Sequence, residues 1–121
     1  MDPGALRAAV ASAISAGKTP FYVGTTAGTT VLGAFDQFNE IFDVVDEFQN
    51  ANGKTQRIWT HIDGAWGGGA MLSKEHDHLM NGAERSDSFS WNPHKMLGIP
   101  LQCSVFVCKH AGSLSLSLIH I

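Results

Sequence analysis

Residues Ser90-Trp91-Asn92-Pro93-His94-Lys95 set a histidine and a lysine side by side behind a proline, just after the aromatic pair Phe89 and Trp91. A second apolar run, Leu101 to Val107, follows closely. A lysine held between two core strands is costly unless its amine is used. The chemistry such an amine does best is Schiff-base formation with a carbonyl, most often that of pyridoxal phosphate, once partial desolvation makes it nucleophilic near neutral pH. The plain alternative is a surface lysine after a turn.

Asp63 extends the pattern. It ends the run Ile58-Trp59-Thr60-His61-Ile62 and precedes Gly64-Ala65. A pyridoxal ring is an electron sink only while its nitrogen is protonated, and a carboxylate on a rigid strand end keeps it so. Ala65 is small enough to let a flat ring approach. The plain alternative for Asp63 is a turn shared with Gly64. Asn92 and His94 have the donors a phosphate needs, Pro93 stiffens their turn, and Thr26 can bond a ring hydroxyl or Asp63. Each also has a bland role as turn asparagine, structural histidine or loop threonine. Their joint placement at successive strand ends is what argues against coincidence.

The elements that must position these groups follow from periodicity. Residues 3–16 read as a helix, capped by Asp2 and closed by Gly17, with Leu6, Val10 and Ile14 four apart on one face. Phe21 to Val23 reads as a short strand running into a polar glycine loop over 24–30. A second helix is expected from about Asp36, with Phe38, Ile41, Phe42, Val45 and Phe48 as its apolar stripe and Asn52-Gly53 as its end. Strands are expected at 57–62, 88–91 and 101–107, and a short helix at 73–82. This order predicts an α/β fold with a mainly parallel sheet. Ligands of such sheets sit beyond the carboxyl ends of the strands, where Thr26, Asp63 and the Asn92-His94-Lys95 set fall.

Composition narrows the partners. At 121 residues the chain forms one modest domain, and a net charge of −3 gives no drive toward nucleic acid. No apolar run is long enough for a membrane span, and the amino terminus does not read as a signal peptide. Cys103 and Cys108 are the two cysteines; five apart in one expected strand, they face opposite ways, so no disulfide is expected and a reducing compartment fits. Of thirteen glycines, seven cluster at 24–33 and 64–69, marking sharp turns or close approaches. Neither cluster has the order of a phosphate-binding loop or dinucleotide fingerprint. His76 and His78 lie two apart without a third ligand, so no metal site is expected. His61 alternates with Asp63 and shares its face. No serine sits in a nucleophile elbow.

Three stretches, TAGTTVLGAFD (26–36), HIDGAWGGGAMLS (61–73) and LMNGAERSDSFSWNPHKMLGIPLQCSVFV (79–107), resemble the group II pyridoxal-phosphate-dependent amino-acid decarboxylases, most closely the glutamate and cysteine-sulfinate decarboxylase branch. The resemblance covers roughly residues 3 to 110. It implies part of the large domain of a fold type I enzyme, aspartate-aminotransferase-like, with pyridoxal 5'-phosphate as cofactor. The activity implied is loss of the α-carboxylate of an acidic amino acid (glutamate, cysteine sulfinate or aspartate) as carbon dioxide. Carried over by motif, Lys95 would be the catalytic, cofactor-bearing lysine and Asp63 the partner of the pyridinium nitrogen. Ala65 would lie against the ring, Thr26 near its hydroxyl side, and Asn92 and His94 at the phosphate. A cytoplasmic homodimer is the expected state of the parent enzyme.

The resemblance also implies what is missing: an upstream phosphate-gripping loop and ring-stacking histidine, and a downstream small domain. Residues 1–110 are therefore expected to be a partial cofactor-binding large domain. Residues 111–121, AGSLSLSLIHI, are expected to be a non-native or artefactual tail outside the family pattern, whose Ser/Leu alternation suits a sheet edge. A truncated chain without catalysis of its own, and a parent that is an aldolase or aminotransferase of the same fold, are the alternatives. The apolar stripe of Phe38 to Phe48 is expected to lie uncovered in so short a chain.

Overall fold

The computed structural model describes residues 1–51 and 57–118. The expected helix end at Asn52-Gly53 lies outside the described residues. The chain begins with α1, Pro3–Ser15, capped by the Asp2 carboxylate, which accepts from the Ala5 N–H at 2.6 Å, and followed by Gly17 at φ +73°. Strand β1 spans Tyr22–Thr26, α2 Phe38–Ala51, β2 Trp59–Gly64 and β3 Ser88–Trp91. The one-turn helix α3, Pro93–Met96, leads to β4, Val105–Cys108, and then α4, Ser113–Leu118.

The four strands lie in sequence order. β1 and β3 both run parallel to β2, and β4 returns antiparallel to β3. The register places Thr26 opposite Asp63 and Asp63 opposite Ser90. The mainly parallel α/β sheet is therefore as the sequence predicts.

The alternation of each strand sorts its side chains onto two faces. Val23, Thr25, Thr60 and Ile62 are buried on one, where α2 packs with Phe38, Ile41, Phe42 and Val45 all buried. The expectation that this helix stripe would be uncovered is wrong. Three parallel strands already suffice to cover it, and Arg85 ties α2 from outside through Asp43 at 2.8 Å and Asp46 at 2.9 Å. The other face carries Tyr22, Thr26, His61, Asp63, Ser88, Ser90 and Phe106.

Besides β2, expected at 57–62 and found at Trp59–Gly64, four local expectations change. Gly24-Thr25-Thr26 belongs to β1 and not to a loop, because pairing with β2 continues through all three residues and the Thr25 hydroxyl, buried, donates to the His61 carbonyl at 3.0 Å. Residues 67–85 form three 3₁₀ segments, Gly67–Leu72, Asp77–Met80 and Ala83–Arg85, in place of one short helix. The last strand starts at Val105, not Leu101. The chain turns at Gly98, φ +65°, and needs residues 99–104 to come back beside β3. Cys103 thus lies outside the strand, and both cysteines are free. Finally, Ser113–Leu118 closes its own helical turns, entered at Gly112 with φ +84°, and adds no strand to the sheet.

Glycines of the 64–69 cluster serve packing. A Cβ on Gly67 would stand 2.6 Å from the Ala27 carbonyl oxygen, which already accepts from the Gly67 N–H at 2.9 Å. Gly28, at φ +76°, faces the same crossing from the other side, with Gly67 Cα 2.7 Å from where its Cβ would be. The close approach inferred from composition is therefore of chain to chain.

Candidate functional site

Thr26 ends β1, Asp63 stands one residue before the end of β2, and Asn92 follows β3 directly. Three parallel neighbours thus deliver these residues to one carboxyl edge of the sheet. Lys95 follows Asn92 by one turn of α3, whose first position is Pro93 and whose Lys95 N–H donates to the Asn92 carbonyl at 2.9 Å. Ala65 comes directly after β2, half-buried.

Each strand end is held by backbone. Asp36 clamps Thr26: its Oδ2 accepts from the Thr26 N–H at 2.8 Å, and its own N–H donates to the Thr26 carbonyl at 3.0 Å. The Ala27 N–H donates to the Asp63 carbonyl at 2.8 Å. Asp63 Oδ1 accepts from the Ala65 N–H at 2.9 Å, the Asx turn anticipated from Asp-Gly. That turn fixes one carboxylate oxygen and leaves Oδ2 without a partner among the described residues.

His94 is anchored through Nδ1, which lies 2.7 Å from the Cys103 carbonyl oxygen and 3.1 Å from the Cys103 nitrogen. Its Nε2 has no partner among the described residues. The Asn92 side chain makes no capping bond to α3. The hydroxyl of Thr26 and the ammonium of Lys95 likewise have no described partner. By contrast Thr25, Thr60, Ser86, Asp87 and Ser88, all buried, hydrogen-bond within the protein. The polar residues divide into an engaged internal set and an unengaged set at the carboxyl edge.

Lys95 is exposed, and so is Asp63. The reading of Lys95 as wedged between core strands is not met, because β4 is itself open: Phe106 is 50% and Val107 51% exposed.

The role of Asp87 and the contacts of His61 go beyond what the sequence shows. Asp87, 2% exposed, accepts from the Thr60 N–H at 2.8 Å and the Thr60 hydroxyl at 3.0 Å, and pairs with Arg57 and with His110 Nε2. Burial pushes its carboxyl up, but the Thr60 backbone and side-chain bonds, His110 and Arg57 outweigh that and hold it below the ordinary carboxylate value. His61 lies between the rings of Tyr22, 6.4 Å away, and Phe106, 5.7 Å away, with its Nδ1 2.8 Å from Ser88 Oγ. Burial lowers its pKa, against the opposing pull of Asp63 and Ser88. The Ser-Asp-Ser spacing of 86–88, facing a strand with Thr60, was the available signal for the first; for the second, the shared face of His61 and Asp63 was read from the sequence, but its ring contacts and its Ser88 bond were not.

Among the described residues no group of histidine, cysteine and acidic side chains is arranged for a metal ion, and no helix is long and apolar enough to cross a membrane.

Comparison with known proteins gives this edge its context. Residues 1–120 match the family model of the pyridoxal-dependent decarboxylase conserved domain. The chain is similar to mouse CSAD (cysteine sulfinic acid decarboxylase), with 42% identity and a TM-score of 0.84 over 94% of this chain and 23% of that one. It is also similar to Rhodiola rosea 4-hydroxyphenylacetaldehyde synthase, with 38% identity and a TM-score of 0.85 over 98% and 24%. A third likeness is to Oryza sativa TDC, solved with PLP and tryptamine, at 34% identity and a TM-score of 0.85 over 98% and 22%. The chain therefore spans under a quarter of the length of each of these structures. Its sheet is of the fold type I class. With a family match over nearly its whole length, the chain belongs to the pyridoxal-dependent decarboxylase family.

Proposed function

We propose that the full-length protein carrying this segment decarboxylates an acidic amino acid, such as cysteine sulfinate, glutamate or aspartate, using pyridoxal 5'-phosphate held at the carboxyl edge of β1–β3. The observation that carries the reading is the unengaged polar set at that edge. Its chemistry fits the cofactor: an open carboxylate oxygen, a free amine, a free imidazole nitrogen, an amide and a hydroxyl, set beside the small Ala65. When bound, pyridoxal phosphate supplies the electron sink for the charge left as carbon dioxide departs.

The chain's own groups have separable tasks. Lys95 would hold the cofactor's aldehyde carbon through Nζ. Asp63 would use Oδ2 to keep the ring nitrogen protonated, its orientation fixed by the Ala65 N–H on Oδ1. Ala65 would lie against the ring, and the Thr26 hydroxyl near the ring's oxygen. His94, with Nδ1 at the Cys103 carbonyl, would present Nε2 to the phosphate beside the Asn92 amide. In its protonated form that ring donates from both nitrogens at once.

The acidic substrate is favoured by identity, 42% to mouse CSAD against 38% and 34% to the synthase and TDC structures. The reading extends to residues 1–110 as part of the cofactor-binding large domain and to a homodimeric, cytoplasmic parent. Free Cys103 and Cys108 are in keeping with a reducing compartment. Full-length protein should show a visible absorbance band with pyridoxal phosphate that Lys95→Ala removes. It should release carbon dioxide and an amine from acidic amino acids. A cofactor-free protein with Lys95 intact overturns the reading; faster turnover of aromatic amino acids overturns the substrate class.

A further inference from the structure

His61 sits two residues before Asp63 on the same strand face, inside a hydrogen-bonded chain whose first donor is fixed. Trp59 Nε1–H is a donor only, and it lies 2.8 Å from Ser88 Oγ. Ser88 Oγ, accepting from Trp59, has its own proton to give, and His61 Nδ1 lies 2.8 Å away. If Ser88 gives that proton to His61, Nδ1 is the bare nitrogen and Nε2 carries the proton, 3.4 Å from Ser90 Oγ. A protonated ring would aim a second donor at Ser88 Oγ and strand the hydroxyl proton in a site only 3% exposed.

The flanks agree with a neutral ring. The rings of Tyr22 of β1 and Phe106 of β4 lie 6.4 and 5.7 Å from that of His61, at 25° and 26° to it. Facing it are Asp63 on its own strand, Tyr22 on β1, Ser88 and Ser90 on β3, and Cys108 in the same row on β4. Asp63 is the one carboxylate of that group, and it would draw a proton onto the imidazole if nothing opposed it.

We propose that His61 is a positioning residue, held as the neutral Nε2–H tautomer by the Trp59–Ser88 chain, so that no neighbouring cation competes with the cofactor's ring nitrogen for Asp63. The inference rests on the assignment of Asp63 made under the proposed function. An imidazolium there would act on Asp63 through space, with no direct contact between the two, and weaken its pull on the ring nitrogen. Burial, which lowers the His61 pKa, acts in the same direction.

The experiment uses full-length protein with ¹⁵N-labelled histidine, His61 being identified by loss of its signals in His61→Gln. Wild type should show a bare Nδ1 and a protonated Nε2 at pH 7, with no titration near 6.5. Ser88→Ala should mix the tautomers and bring titration back toward that value. In the same variant, pyridoxal phosphate affinity should fall about tenfold at pH 6, the equivalent of one pKa unit of charge competition, and within about twofold of wild type at pH 8. A wild-type His61 that carries its proton on Nδ1, or titrates normally, overturns the inference even if Ser88→Ala does not fold. An equal affinity loss at both pH values overturns the positioning role. A wild-type protein that binds no pyridoxal phosphate overturns the functional reading and this role with it; one that binds it while His61 is charged overturns this inference alone.

Discussion

Thr60 and Asp87 grip each other across 27 positions of sequence. The Asp87 carboxylate accepts from both the N–H and the hydroxyl of Thr60, while the Asp87 N–H returns to the Thr60 hydroxyl and carbonyl, each at 3.0 Å. This exchange starts the pairing of β3 with β2 and so sets how far along the sheet Trp91 ends and Asn92 begins. The buried acid fixes the sheet from one end so that the opposite end can hold unengaged groups.

Asp87→Ala should therefore destabilise strongly, by about 3–5 kcal/mol, since it leaves Thr60 and part of Arg57 and His110 without a partner. Arg57 is half exposed, so Arg57→Ala alone should cost about 1 kcal/mol or less. Urea denaturation of both variants measures the contrast.

Stability should fall toward acid in two stages. The His61 pKa is lowered on folding, so its contribution is present above the unfolded value of 6.5 and is lost as pH drops below it. The Asp87 pKa is also lowered, so its contribution is present above the unfolded value of 3.8 and is lost as pH falls through the folded value. The urea midpoint followed from pH 8 to pH 3 should show both limbs, and His61→Gln should flatten the upper one.

Gly67→Ala should cost about 1–3 kcal/mol, because its Cβ meets the Ala27 carbonyl at 2.6 Å and neither backbone can yield freely. Gly98→Ala has open space but φ +65°, so its smaller cost should come from backbone strain alone. Thermal melts of the pair separate the two causes.

Asp63→Asn should keep the fold, since the Ala65 N–H can still bond the side-chain carbonyl. Pyridoxal phosphate affinity should drop about tenfold with the loss of one charge-assisted bond, and turnover should drop further. Fluorescence quenching for the cofactor and carbon dioxide release for turnover give the two numbers.

Much of this was legible in the residues, and the reasons are local. Leu6, Val10 and Ile14 announce α1, and Phe38, Ile41, Phe42 and Val45 announce α2, because a helix repeats its buried positions within one turn. Ser88–Trp91 was bounded correctly at both ends, since Pro93 stops a strand. What was hidden depends on distant partners. Gly24 to Thr26 looks like a loop until β2 pairs with it. Asp87 looks like a solvated acid until Thr60 arrives. The direction of β4 is set by where Gly98 sends the chain, which no periodicity in 101–107 encodes. At the candidate site, residue types were readable; their freedom from internal partners was not.

The parallel register of β1, β2 and β3 has a consequence for how such an edge can diverge. Sliding one strand past its neighbour by a single residue moves its end about 3.3 Å and turns every side chain to the opposite face. The distances among Thr26, Asp63 and Asn92 are thus available only in coarse steps, like teeth on a ratchet, and no small drift can retune them. Gradual change in what this edge presents is confined to the turn from Asn92 to Met96 and to whatever is laid over it.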